Sequence, residues 1–298
     1  MVVRPRDATI ISHACDARSI LSRAAPDVLP PAGATDGAQC APPDAPQPPE
    51  SWSLLPLHIP GDSLAQLSAS LAPLAPNLRL STHDVLAGLV WALRCTLAGV
   101  DPPGGQCSGR FIVALDLSAN GLPPGVLPAD FTGNCAAALS VSAKAGGLDD
   151  AAGRHLLAVA HAAAAVRTAV AAYRSEPLNA VRHLLACGER IAGPAAPGSW
   201  RQGGAGAMPL VGYATSCLRV PTAALDCGTG PPVALHYSTL PLRSTSGLQF
   251  ASLAPGPHGD GALVLLAASD AHARMLTSSS GPAAELLRAA VPAARLLM

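Results

Sequence analysis

Hydrophobic residues along this 298-residue chain repeat with two different periods, and the changes of period mark where elements begin and end. Trp52–Ile59 has the length and composition of a strand. Beyond it, Asp62 or Ser63 can cap a helix in which Leu64, Leu67, Leu71 and Leu74 recur at helical spacing, closing at Pro76. The clearest helix start is Ser81, whose hydroxyl can accept from amides of the first turn, with Asp84 at the reciprocal position of a capping box. Leu86, Leu89, Val90 and Leu93 then share a face, with Trp91 close by, and Gly99 ends the run.

Phe111–Leu117 is a continuous apolar run of strand length, the pattern of a strand buried on both faces. A loop rich in proline and glycine follows over 121–128, then a second strand near Cys135–Val141. Gly153–Arg174 reads as a long amphipathic helix with Leu156, Val159, Ala163, Val166 and Val170 on one stripe, and Leu178–Ile191 as another. Strands return at Val233–Tyr237, Gly247–Leu253 and Ala262–Ala268. No repeat of fixed period interrupts this mixture, which predicts an α/β (α+β layered) fold. Pro26–Glu50 is dense in proline and lacks periodicity, so residues 26–50 are expected to be a disordered linker between residues 1–25 and a domain over 51–298.

Composition narrows the function classes. Hydrophobic residues make up 49% and mean hydropathy is +0.33, which excludes a wholly disordered polyelectrolyte. Nineteen basic residues balance nineteen acidic ones, so no excess charge draws the chain to nucleic acid or to an anionic membrane. Aromatic residues are only 3%, leaving Leu, Val and Ala to fill the core, and 28 glycines with 30 prolines predict many loops. The eight cysteines are scattered, with no CxxC and no zinc-type grouping with histidine, so no metal site is expected. The opening residues hold no secretory apolar run. The tract 156–172 contains His161 and Arg167 and falls short of a charge-free membrane span. The expectation is a soluble, cytoplasmic protein with reduced thiols.

Four segments, in order, carry a more specific signal: Arg18–Pro26 (RSILSRAAP), Leu80–Arg94 (LSTHDVLAGLVWALR), Phe111–Ala136 (FIVALDLSANGLPPGVLPADFTGNCA) and Thr215–Pro232 (TSCLRVPTAALDCGTGPP). They resemble the DRxLLxARxPP, vSTxDaLxAxxWra, VDxRxRxxPPLPxxYFGN and TSWxRLPxxxxDFGWGxP stretches of the BAHD family of acyl-CoA-dependent acyltransferases. The likeness is greatest to its plant-type shikimate or quinate hydroxycinnamoyltransferases. It implies a chloramphenicol-acetyltransferase-like fold, acyl-CoA as co-substrate with no bound cofactor, and a small alcohol acceptor such as shikimate or quinate. In such enzymes a histidine of an HxxxDG motif takes the proton of the acceptor hydroxyl.

The resemblance also suggests site residues. Thr215 and Cys217 align with the family's TSW, whose tryptophan helps hold the oxyanion and whose threonine contacts the acceptor. A thiol is a weak donor beside an indole N–H. Arg201 falls near the arginine that grips the acceptor carboxylate, a role suited to a planar guanidinium. Asp226, Gly228 and Gly230 occupy the DFGWG positions, a structural motif, with Cys227 for Phe and Thr229 for Trp. Asn134 reads as a turn residue, and Ser81 or Thr82 as caps near the coenzyme A channel.

The general base is the missing part. In the family HxxxDG lies upstream of the DRxLL stretch, which here begins within twenty residues of Met1, so the sequence is expected to correspond to the crossover and the C-terminal domain. His58 and Asp62 do form HxxxD, but Ser63 follows instead of glycine. A strand histidine and a helix-capping aspartate are the simpler reading. His13 has the wrong spacing, and His83 sits in the first turn of a helix, where the dipole disfavours an imidazolium and a solvent-facing ring is expected. No catalytic histidine is therefore assigned, and little activity is expected of the chain alone. The rival expectation is a non-catalytic module that keeps part of the coenzyme A surface or docks on a full-length relative.

Overall fold

The computed structural model describes residues 52–99, 109–116, 136–143, 151–175, 210–218 and 250–297. The segment 1–50, the loop 121–128, the helix expected over 178–191 and the strand expected over 233–237 lie outside the described residues. In chain order the elements are β1 (Trp52–Ile59), α1 (Gly61–Leu71), α2 (Thr82–Leu97), β2 (Gly109–Asp116), β3 (Ala136–Ala143), α3 (Ala151–Ser175), β4 (Leu210–Ser216), β5 (Phe250–Pro255), β6 (Ala262–Ser269), α4 (Asp270–Thr277), α5 (Pro282–Ala290) and β7 (Arg295–Leu296). Packing divides the chain into two units, and nearly all described residues belong to the one formed by 51–114, 138–171 and 200–298.

Seven strands form one mixed sheet in the order β3, β2, β4, β5, β6, β1, β7. β2, β4 and β5 run parallel, while β6 runs antiparallel to both β5 and β1. β1 therefore points the same way as the parallel set, and four strands deliver their carboxyl ends to one edge. β6 is buried along nearly its whole length, as its unbroken apolar sequence ALVLLAAS requires of a strand paired on both sides. The α/β fold expected from the pattern of elements is the one observed.

Helix α2 forms because Ser81 and Asp84 make the expected capping box. The Asp84 amide donates to Ser81 Oγ at 3.3 Å, and the Ser81 amide donates to Asp84 Oδ2 at 2.8 Å. Gly99 follows its last turn at φ +62°, a backbone position glycine takes without strain. The expected single apolar face is an underestimate: every residue from Asp84 to Leu97 is buried. Trp91 stacks on Phe111 of β2 with ring centroids 5.4 Å apart, which sets one side of α2 on the sheet. At Gly88, one turn before Trp91, an added Cβ would stand 2.8 Å from the Val159 carbonyl oxygen and 2.7 Å from the Ala163 amide, so α3 packs closely against α2 beside the Trp91 contact. Gly153–Ser175 is long and apolar enough to cross a membrane by length and composition alone, yet Val159, Ala160, Ala162, Ala163 and Val166 are fully buried in this protein.

Three boundaries differ from the sequence expectation. Neither Asp62 nor Ser63 caps α1; the helix starts at Gly61 after Pro60, and Ser63, Leu67 and Leu71 form its buried face. Leu74 belongs to a 3-10 turn, Ala72–Leu74, and is exposed. Of the expected strand 247–253, residues 250–253 belong to β5, which extends on to Pro255 where its pairing with β6 ends in a tight connection, while 247–249 lie outside the described residues. Strand β4 and helices α4 and α5 have weak sequence signals; in β4, glycine at position 212 interrupts the run of side chains without interrupting the strand.

Candidate functional site

Of the residues singled out in the sequence, Thr215 and Cys217 lie at the sheet's carboxyl edge. In an open α/β sheet this edge is where ligands bind, because the strands stop there and the following loops diverge. Thr215 and Ser216 close β4, and Cys217, one residue on, donates its amide to the Leu253 carbonyl at 2.7 Å. Both Thr215 and Cys217 are half-buried. The structure thus brings Thr215 and Cys217 together beside β5. Arg201, Asp226, Gly228, Gly230 and Asn134 lie outside the described residues.

Strand register extends the site to a residue that the sequence analysis did not single out. Thr215 is level with Ser252 of β5, Ser252 with Leu265 of β6, and Leu265 with Pro56 of β1. Residues of one such row project from the same face of the sheet. Ser252 is 0% exposed, and among the described residues its hydroxyl has no hydrogen-bond partner. On the same face Tyr213 stacks on Phe250 at 5.4 Å, and burial pushes the Tyr213 phenol above its ordinary pKa. A serine amid the apolar strand FASLAP was the available signal, since a polar residue on a buried strand demands a partner.

Ser81 and Thr82 open α2, which packs on the other face of the sheet. Arg94, near the end of α2, bonds the carbonyls of Phe250 and Ala267 at the sheet's opposite edge. The helix rises about 1.5 Å per residue, so its first turn lies roughly 20 Å from Arg94 along the helix axis. There Asp84 is buried, accepts from Ser81 Oγ at 2.7 Å, and has His83 Nδ1 at 3.6 Å and Arg167 Nη1 at 3.7 Å. The side chain of His83 is only 23% exposed, so the expected solvent-facing ring is instead a half-buried partner of this carboxylate.

Burial by itself would raise the Asp84 pKa, but hydrogen bonds from His83 and from the Ser81 amide and hydroxyl outweigh it and hold the carboxyl below its usual value of 3.8. A depressed carboxylate adds stability above its unfolded pKa and loses it as pH falls through the folded one. Asp84→Asn is expected to cost about 1 kcal/mol at pH 7, in line with a lost cap. It should also flatten the acid limb of a stability curve below pH 4, measured by urea denaturation across pH; an unchanged acid limb would refute the assignment.

His58 sits on β1 three strands from Thr215, a separation of about 14 Å at normal strand spacing. It serves a structural bond instead. Its Nε2 donates to the Asp260 carbonyl at 3.1 Å, and Asp260 Oδ1 accepts the Gly61 amide at 3.0 Å. The carboxylate from the β5–β6 connection caps α1, the role expected of Asp62, and the imidazole fastens the same connection to β1. The bland reading of HIPGD thus holds for His58, while the capping residue comes from 199 positions away.

Among the described residues no group of three His, Cys, Asp or Glu side chains could hold a metal ion. This face of the sheet offers a pair of neighbouring hydroxyls in mid-sheet, with a thiol-bearing strand end toward the carboxyl edge and an aromatic stack toward the other. These groups can bind and orient oxygen-bearing molecules. Taking a proton from an alcohol at neutral pH requires a base that Thr215, Ser252 and Cys217 do not supply.

No protein-family model matches the sequence, and no curated protein matches it. Solved structures do match. Vinorine synthase is 17% identical with a TM-score of 0.50, over 77% of this chain and 46% of that one. F. graminearum TRI101 complexed with coenzyme A and deoxynivalenol is 14% identical with a TM-score of 0.51, over 80% and 50%. F. sporotrichioides TRI101 complexed with coenzyme A and T-2 is 12% identical with a TM-score of 0.50, over 81% and 52%. At such identities the shared property is the fold. This chain spans about half the length of these structures.

Proposed function

We propose that this chain is the acceptor-side half of a BAHD-type acyltransferase, nominally moving a hydroxycinnamoyl group from acyl-CoA to an alcohol such as shikimate or quinate. The observation that carries the reading is the position of Thr215 and Cys217. The segment that resembles the family's TSW motif ends a parallel strand at the carboxyl edge of a sheet whose fold matches structures complexed with coenzyme A. In the full reaction the acceptor oxygen attacks the thioester carbonyl, the C–O bond forms, the C–S bond breaks, and the acceptor's proton ends on the coenzyme A thiol. Thr215 orients the acceptor. Cys217 stands where an indole N–H would meet the oxyanion, and losing one such donor costs on the order of 3 kcal/mol.

The polypeptide alone is proposed to turn over slowly or not at all, as a cytoplasmic protein. Its one HxxxD histidine, His58, is committed to Asp260 and stands far from Thr215. Coenzyme A binding by calorimetry, followed by p-coumaroyl-CoA and shikimate turnover read by thiol release, tests both halves of the proposal. Coenzyme A binding with turnover at least 1,000-fold below a full-length relative is the expected result. Failure to bind coenzyme A would sink the family reading, and rapid turnover would show that a base had been overlooked. Binding with no rescue of turnover by a full-length relative would favour a second reading, a non-catalytic coenzyme A-binding module. That reading draws on Cys217 in the place of the oxyanion donor.

A further inference from the structure

Asp260 and Gly261 form one of two Asp–Gly pairs in the chain, the other being Asp36–Gly37. In such a pair the glycine nitrogen can attack the aspartate Cγ, because no Cβ on the following residue crowds the approach and the glycine turns freely. The Asp260 side chain is 62% exposed, so water and protons reach it. Two contacts hold the residue still. His58 Nε2 donates to its backbone carbonyl at 3.1 Å, and its Oδ1 accepts the Gly61 amide at 3.0 Å. Asp260 is thereby kept at ψ 116°, where the Gly261 nitrogen lies over Hα and is turned away from Cβ. Closing a ring needs the opposite rotation, with that nitrogen brought over the side chain.

We propose that Asp260 is a site of isoaspartate formation and that His58 guards it. When the β5–β6 connection opens locally, ψ is released and the Gly261 nitrogen bonds to Cγ. The amide proton and the hydroxyl of the protonated carboxyl leave as one water, which gives a succinimide. Water then adds back at either ring carbonyl. At Cγ it breaks the new C–N bond and restores aspartate; at the backbone carbonyl carbon it breaks the original C–N bond and leaves isoaspartate. No other reactant enters. The product lengthens the connection by one methylene. The oxygen that His58 held becomes part of a carboxylate, and the group that capped α1 becomes a main-chain amide, so both contacts that tie this connection to β1 and α1 are lost together. The inference is independent of the acyltransferase reading.

The test ages the full chain and its His58→Ala variant at neutral pH, both natively and in urea. Peptide maps with electron-transfer fragmentation tell aspartate, succinimide and isoaspartate apart at position 260, and the Asp36–Gly37 pair of the same sample normalises the rates. Isoaspartate at 260 is expected to form fastest in urea and slowest in the native wild type. Native His58→Ala should form it about 5-fold or more faster than native wild type, the scale of one lost hydrogen bond. His58→Gln, which keeps an N–H donor, should stay closer to wild type than alanine does. Equal native rates for wild type and His58→Ala overturn the guard, and no isoaspartate at 260 even in urea overturns the site. Should His58→Ala not fold, wild type in urea below its unfolding transition makes the same comparison: the rate at 260 should rise with amide exchange at Gly61, and a flat rate overturns the proposal.

Discussion

Replacing Arg94 with alanine is expected to remove about 3–5 kcal/mol of stability, the scale for breaking a buried charged contact. Arg94 is 0% exposed, and its Nη2 donates to the Phe250 carbonyl at 2.9 Å and the Ala267 carbonyl at 2.7 Å. The β5–β6 ladder ends at the pair Ala251 and Leu266, so these are the carbonyls just beyond its last rung. Alanine would leave both without their donor and open a cavity at the base of α2. The arginine also carries a cost, because Nε and Nη1 are buried without partners and burial draws the guanidinium down to about 9 while it stays charged at neutral pH. Arg94→Met keeps volume and sheds that cost, so it is expected to lose only about 1–2 kcal/mol. Urea denaturation of the two variants decides the matter: equal losses would mean that filling the space counts for nothing, and a loss below 1 kcal/mol for alanine would mean that the clamp does.

Gly261→Ala is expected to cost about 3 kcal/mol or more, in the class of backbone strain combined with overpacking. Gly261 lies at φ +64°, and a Cβ there would meet the Ile59 carbonyl oxygen at 2.0 Å and the Gly61 amide at 2.7 Å. The turn from β5 to β6 could not then reach β1, and the His58–Asp260–Gly61 contacts would part. Gly259→Ala is the matched control, since Gly259 has φ +78° with nothing within 4 Å of an added Cβ. It should show only the left-handed penalty, about 1–2 kcal/mol. Thermal unfolding of both variants, with amide exchange at Gly61 as a local probe, tests the difference. Equal losses would show that close approach to β1 is not what restricts position 261.

The strongest local codes in this sequence were legible. Ser81 with Asp84, Gly99, and the apolar runs at Trp52–Ile59 and Ala262–Ala268 each act through neighbours a few residues away, and each appears where the pattern sets it. The cap of α1 was not legible, because Asp260 supplies it through tertiary contact and no spacing within 61–71 records that. The full burial of α2 was hidden for a similar reason: a glycine at position 88 says nothing until α3 is seen against it. For the site, Thr215 and Cys217 came from resemblance. Ser252 needed the register of β4 on β5, which couples residues 37 apart in number through a ladder that periodicity cannot foresee.

The place of β1 in the sheet has a consequence for how the protein is made. β1 is the first described strand in the chain, yet its only neighbours are β6 and β7, which are the last. Such distant pairings are slow to form and leave unpaired edges exposed meanwhile. On the ribosome, residues 52–59 must wait until the chain past Ala262 has emerged, so a message cut short before that codon yields a strand that can never find its mate and a product fit only for proteolysis.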